Sequence, residues 1–387
     1  MKFAETLASY IPALIVEELQ AQLENEETQG VLEAAPYRRT IETVCMFCDV
    51  SGFTKLSEQM ANNGMGAEGL AKYLNKYFAQ MSKKIQGEGG DIFKYAGDAM
   101  IVLWPDKEDE TGERDSIENR IRRACQAAVS IQEEQNAMDM GQGVQLSVKI
   151  GIGVGAVSVL YIGGIFGRME SVAVGAPLIQ AFESEHHGVS GQVIVSPECW
   201  DYLKKYYEGL EINKGTNNTE DKGPGMEDMG EGFMLIHQNG WETMAAFLEN
   251  KKMIKKLAFK NDIEDDPTLI QAIKFYVPGG VTAHIDETND EEKWYNEERN
   301  VATLFVNLGL EDAILLEAAE KNSAMNVVNE VLASVQKAVY QYEGSINKFL
   351  MDDKGSTLIA CFGLTPNAHE DDAVRAVLAA INICEQL

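Results

Sequence analysis

Apolar positions along this chain keep two rhythms, and the order in which they alternate divides it into elements. Phe3 to Leu23 has helical spacing and leads into a Glu-rich turn. Thr43 to Val50 is an extended apolar run that predicts a strand, and Ala67 to Ile85 carries the 3.6-residue period of a helix. Two short strands are expected at Asp91 to Tyr95 and Ala99 to Leu103, joined by the tight turn Ala96-Gly97-Asp98. A helix over Ile117 to about Gln135 and a strand over Leu146 to Val154 complete a β-α-β-β-α-β order. Further strands are expected at Ser158 to Ile162 and Gln192 to Val195, and Lys214 to Gly232, rich in Asn, Gly, Asp and Glu, reads as a mobile loop. Trp241 to about Arg299 reads as a helical connector interrupted by the turn Pro278-Gly279-Gly280.

After the connector the order begins again. Thr303 to Leu308 repeats the first strand, Ala324 to Tyr340 the first helix, and Ser345 to Leu350 with Ser356 to Phe362 the strand pair. A helix from Asp371 to Leu387 follows, and the closing strand is expected from another chain or a longer polypeptide. The fold class is therefore α+β, with ferredoxin-like domains, one complete and one partial. The expected boundaries are 1–36 for an N-terminal helical segment, 37–240 for the first domain, 241–299 for the connector and 300–387 for the partial second domain.

Charge narrows the function classes. The formal net charge of −28 argues against non-specific nucleic-acid binding, which needs a basic surface. No apolar run is long enough to span a bilayer and the start lacks a secretory signal, so an intracellular place is expected, with no transmembrane segment. The six cysteines lack the spacing of a disulfide scaffold. Cys45 and Cys48 form a C-x-x-C within a strand, where residues three apart face opposite ways, so they are expected to be two core thiols.

The most informative segment is Phe47-Cys48-Asp49-Val50-Ser51-Gly52-Phe53-Thr54, a strand ending in a carboxylate and then a small-residue turn. The turn and the helix start after it offer backbone N–H groups to phosphate, although an Asp after a strand is often only a helix cap. Asp98 is decisive, because a hairpin paired beside the first strand brings its tip toward the end that carries Asp49. Two carboxylates beside an anion-binding turn make a site for a hard divalent ion with substrate phosphates. His186-His187 reads as surface polarity, Gly151 to Gly155 as a bent strand, and Asn217-Asn218-Thr219 as a sequon without meaning inside a cell.

Cys48 to Thr54 and Gly89-Gly90-Asp91-Ile92-Phe93-Lys94-Tyr95-Ala96-Gly97-Asp98-Ala99 resemble the paired signatures of class III nucleotidyl cyclases. The detail is most similar to the bicarbonate-regulated soluble adenylyl cyclases, from Pro12 through Asp353-Lys354-Gly355. The resemblance implies that two homology domains meet with the nucleotide at their interface. It further implies that Asp49, Val50 and Asp98 hold two Mg2+ (or Mn2+) ions, and that Val50, Ser51, Gly52, Phe53 and Thr54 cradle the triphosphate of ATP. In that scheme one ion activates the ribose 3′-hydroxyl for in-line attack on the α-phosphate and both stabilise the departing pyrophosphate. Lys149 matches a basic residue that meets the phosphates, and it also reads as an ordinary strand lysine. Lys348 matches the lysine that contacts adenine, with Lys94 as its relic in the first domain.

Asn307 stands where the first domain has Asp49, so the second copy of the metal site is broken, an asymmetry that the resemblance implies for a heterodimer-like cyclase in which one domain holds metals and the other reads the base. Three departures qualify the implied activity. The loop Lys214 to Gly232 has no role in the family scheme. The family's transition-state asparagine and arginine are expected beyond Leu387. Of the bicarbonate pocket, Lys94 and Met351 match, while Ala173 and Phe182 stand at a valine and an arginine position. The expected function is an adenylyl cyclase; the alternative is a catalytically incomplete cyclase-fold module for docking or regulation. The resemblance adds a cytoplasmic place, with a cilium or flagellum and protein partners there as further expectations.

Overall fold

The computed structural model describes residues 3–63, 67–107, 114–139, 144–205, 209–211, 233–236, 266–287, 299–352 and 355–387. The expected loop at 214–232, the sequon, most of the connector and Asp353-Lys354 lie outside them, as does the Met351 side chain.

The elements run in chain order as α1 (Phe3–Ala8), α2 (Ala13–Glu24), β1 (Tyr37–Ser51), α3 (Phe53–Asn62), α4 (Ala67–Gly87), β2 (Asp91–Ala96) and β3 (Ala99–Pro105). Then come α5 (Ile117–Gln135), β4 (Met138–Asp139), β5 (Gln145–Ile165), β6 (Arg168–Val174), α6 (Ala176–His187), β7 (Val193–Val195) and α7 (Pro197–Leu203). β8 (Gly209–Glu211), β9 (Met234–Ile236), α8 (Pro267–Lys274) and α9 (Gly279–Glu287) follow. The last are β10 (Ala302–Asn307), α10 (Asp312–Glu320), α11 (Asn322–Gln341), β11 (Ser345–Asp352), β12 (Gly355–Phe362) and α12 (Asp372–Gln386).

The β-α-β-β-α-β order is present, with local corrections. The first amphipathic stretch is two helices, because Pro12 is extended (ψ 140°) and disfavours helix in the residue before it. The strands expected at 146–154 and 158–162 are one, β5, which passes through Gly151, Gly153 and Gly155 as a strand. Short α3 and α10, and strand β6, were not expected from periodicity.

The described chain divides into two compact units, one of residues 42–156 and 176–258 and the other of 1–41, 157–175 and 259–387. In the 42–258 unit the strands lie in the order β2-β3-β1-β5-β7-β9-β8. Alternate residues Val44, Met46, Cys48 and Val50 of β1, Met100, Val102 and Trp104 of β3, and Val148, Ile150 and Ile152 of β5 share one buried cluster with Tyr77, Met81 and Ile85 of α4 and Ile121, Ala124 and Cys125 of α5. Cys48 belongs to that cluster and Cys45 does not, so the two thiols do face opposite ways; both are free and buried.

Residues in between, such as Phe47, Asp49 and Lys149, face the other side of the sheet. There α6 packs so closely that a Cβ on Gly151 would lie 2.0 Å from the Ala181 carbonyl oxygen and 2.4 Å from Glu185 N. In the other unit β10-β12-β11 form a sheet. Val306, Ile346, Phe349, Leu358 and Ala360 pack with Leu332, Val335 and Val339 of α11, and Leu160, Ile162, Val172 and Val174 from β5 and β6 join the same core.

Candidate active site

Register fixes the two aspartates. β1 pairs antiparallel with β3, the last pair being Cys48↔Met100, so Asp49 comes level with Ala99. Ala99 also closes the β2–β3 hairpin against Ala96, and Asp98 is the residue before it. Gly97 supplies the left-handed φ of 68° that this two-residue turn requires. Asp49 and Asp98 therefore lie at one end of the sheet, and both are half-buried.

β1 ends at Ser51, and Gly52 (φ 99°, ψ −2°) turns the chain straight into α3. The N-cap residue is a glycine with no side chain to cap this helix, so its start presents N–H groups and the positive end of the helix dipole to an acceptor. Gly52 is required twice over: its φ is left-handed, and a Cβ would lie 2.7 Å from the Gln145 carbonyl oxygen. Val50 is buried and anchors the turn from below, while Ser51, Gly52 and Phe53 are half-buried and Thr54 is exposed. The carboxylates of Asp49 and Asp98, with main-chain oxygen at Val50, are hard oxygen donors of the kind magnesium takes, so the residues present fit such an ion.

The contact between Gly52 and Gln145 shows that β5 begins where β1 ends. Because Val148 and Ile150 face the core, Lys149 faces the same side as Asp49 on the neighbouring strand. Its ammonium is in ion-pair contact with Oε1 of Glu185, an α6 residue only 3 % exposed. Neither reading from the sequence included this partner, since a carboxylate 36 positions away leaves no local signal. The Cys48 thiol behind Asp49 is pushed well up by burial, and further by the negative charges of Asp49 and Glu185. Phe182, also on α6, packs edge-on against Phe47 with ring centroids 4.8 Å apart. Ala173 is buried in β6.

The repeat reproduces this architecture without its carboxylates. β10 pairs with β12 down to Asn307↔Thr357, which makes Asn307 the counterpart of Asp49. Asn307 Oδ1 accepts a hydrogen bond from Gly309 N at 2.8 Å. Ser356 precedes Thr357 as Asp98 precedes Ala99; it is buried, and its Oγ accepts from Leu310 N at 3.1 Å and donates to Leu310 O at 3.2 Å. Both oxygens are thus spent on the loop after β10. The loss at Ser356 escapes a reading of the sequence, because this hairpin is longer, closing at Asp352↔Gly355, and the counterpart emerges only from register.

One irregularity is shared. The ladder slips between Ile92 and Lys94, and again between Ile346 and Lys348. Lys94 then stands opposite Ile101, and Lys348 opposite Ile359, so each repeat places a bulge and a lysine at the same point. Lys348 is half-buried, and that burial lowers its pKa, with the nearby Cys361 thiol acting the other way. Among the described residues no helix is long and apolar enough to cross a membrane.

Residues 36–235 match the adenylate and guanylate cyclase catalytic domain family. Adenylate cyclase type 10 of Oryctolagus cuniculus is 26% identical over 353 residues, which cover 89% of this chain and 21% of that protein. An adenylate cyclase of Anabaena cylindrica is 30% identical over 176 residues, 45% of this chain and 32% of the relative. Among solved structures, the adenylyl cyclase CyaB from P. aeruginosa aligns over 52% of this chain and 96% of its own, at 22% identity and a TM-score of 0.42. The chain spans about a fifth of the length of the type 10 relatives it matches. With that family covering more than half of its length, the chain belongs to the adenylate and guanylate cyclase catalytic domain family.

Proposed function

We propose that this chain is the nucleotide-binding part of an adenylyl cyclase that converts ATP to cAMP and pyrophosphate. The observation that carries this reading is the convergence of Asp49 and Asp98 beside the uncapped start of α3. Asp49, Asp98 and the Val50 main chain hold Mg2+ or Mn2+, as two ions in the proposed scheme. When bound, the metal supplies Lewis-acid activation of the 3′-hydroxyl and neutralises charge on the phosphates. The α3 amides from Phe53 onward, with Ser51 and Gly52, bind the triphosphate, and Lys149 adds positive charge on the same face.

Lys348 reads the adenine. Residues 37–240 and 300–387 are the two homology domains, 1–36 and 241–299 flank them, and the nucleotide belongs at the interface of the two. Turnover is assigned to a polypeptide that also carries the family's transition-state asparagine and arginine. We place the protein in the cytoplasm, with a cilium or flagellum and its assemblies as the narrower proposal. The catalytically incomplete docking module stays as the second reading, with which the formal net charge of −28 is compatible as an acidic docking surface.

Calorimetry with a non-hydrolysable ATP analogue and Mn2+ separates the two. The cyclase reading predicts saturable, metal-dependent binding that GTP analogues reproduce only weakly. No metal-dependent binding would leave the docking reading in place.

A further inference from the structure

The most unusual group outside the metal end is Glu185, a carboxylate only 3 % exposed on the helix that closes the open face of the sheet. Its Oε1 contacts the Lys149 ammonium, and its Oε2 lies 4.0 Å from His186 Nδ1. Gly151 and Gly153 let α6 sit directly on β5, because a Cβ at either would collide with the Ala181 or Pro177 carbonyl oxygen. That close approach brings Glu185 to Lys149, two residues before Gly151, on the face that Asp49 shares.

We propose that Glu185 is a positioning residue for triphosphate binding: from α6 it fixes the Lys149 ammonium on the Asp49 side of the sheet, where the ammonium stays in ion-pair contact with Glu185 and offers N–H donors to phosphate. The inference rests on the nucleotide reading above. Its physical basis is that an ammonium carries three donors. A buried carboxylate stripped of its cation is strongly disfavoured, so Lys149 does not leave Glu185 to meet phosphate. A flexible four-carbon stem is thereby held in one place before the ligand arrives, which reduces the ordering cost of binding.

The test is a double-mutant cycle on the full chain, read as the affinity for a Mn2+-bound non-hydrolysable ATP analogue. Glu185→Leu is expected to weaken binding about tenfold, as much as Lys149→Ala does, and the double variant no further. Glu185→Gln, which keeps an acceptor of the same shape, is expected to stay within about threefold of wild type and covers the case in which the leucine variant does not fold. Adenosine binding is expected to be unmoved by any of them.

Tighter binding in Glu185→Gln or Glu185→Leu would overturn the proposal, because Glu185 would then compete with phosphate. So would equal losses from Glu185→Leu in the presence and absence of Lys149, the mark of a purely structural role. Failure of the wild-type chain to bind the analogue would instead contradict the nucleotide reading. Binding that neither Lys149→Ala nor Glu185→Leu alters would keep that reading and remove Glu185 from it.

Discussion

Asp98 gains its place from the residue before it, since Gly97 supplies the left-handed turn that swings the carboxylate to the end of β1. Replacing Asp98 by Ala is expected to weaken metal-dependent binding of an ATP analogue by about 2 kcal/mol or more, the usual loss when a charged partner goes. Calorimetry on both proteins measures it, and equal affinities would remove Asp98 from the site. Lys348 makes the opposite trade. Its burial lowers the ammonium pKa, so the fold carries a desolvation cost at neutral pH. Lys348→Met is expected to keep or raise the melting temperature while losing preference for adenine. Between the lowered folded value and the free-lysine value of about 10.4, the unfolded chain binds more protons, so stability from this group rises with pH. The stability gap between variant and wild type should narrow across that window, and a gap independent of pH would contradict the assignment.

At the scale of elements, close packing and bulges do the positioning. Gly151→Val would drive a side chain into the backbone of α6, and the expected cost is about 3 kcal/mol, at the upper end of overpacking. Urea unfolding checks this, and a loss under about 0.5 kcal/mol, the ordinary range for a surface change, would show that α6 can lift without cost. Deleting Asn347 tests the bulge. Ile346 stays opposite Ala360 and Lys348 opposite Ile359, so the core register survives and the chain should fold, while the straightened strand displaces the lysine and weakens nucleotide binding. The long helices and the β2–β3 hairpin were legible because apolar period and turn chemistry are local. α10 and the extent of α3 beyond its start after the Gly52 turn, in helices of 9 and 10 residues, were not, because so few turns barely establish a period. The continuity of β5 was hidden at Gly155, where the first of the two expected strands stops, whereas Gly151 and Gly153, read as part of a bent strand, admit α6.

Across the whole chain, two copies of one plan have been driven apart. The first keeps Asp49 and Asp98; the second turns the same positions, Asn307 and Ser356, into caps for its own loop. The signature motifs and the asparagine were readable from the sequence, whereas the serine and the Glu185 partner depend on register and tertiary contact and were not. The formal charge of −28 has a global consequence, since an acidic molecule repels a nucleotide triphosphate at long range. Association of the ATP analogue should therefore quicken as monovalent salt rises from low concentration, and stopped-flow rates that fall with salt would point to local positive steering instead. The central claim is that of the two repeats only the first holds the metal, while the second contributes Lys348 to the base. Titration of Mn2+ and the ATP analogue into wild type, Asp49→Asn and Asn307→Ala tests it most directly. The account predicts metal-dependent binding that Asp49→Asn abolishes and Asn307→Ala leaves intact; undiminished binding by Asp49→Asn, or its loss in Asn307→Ala, would contradict it.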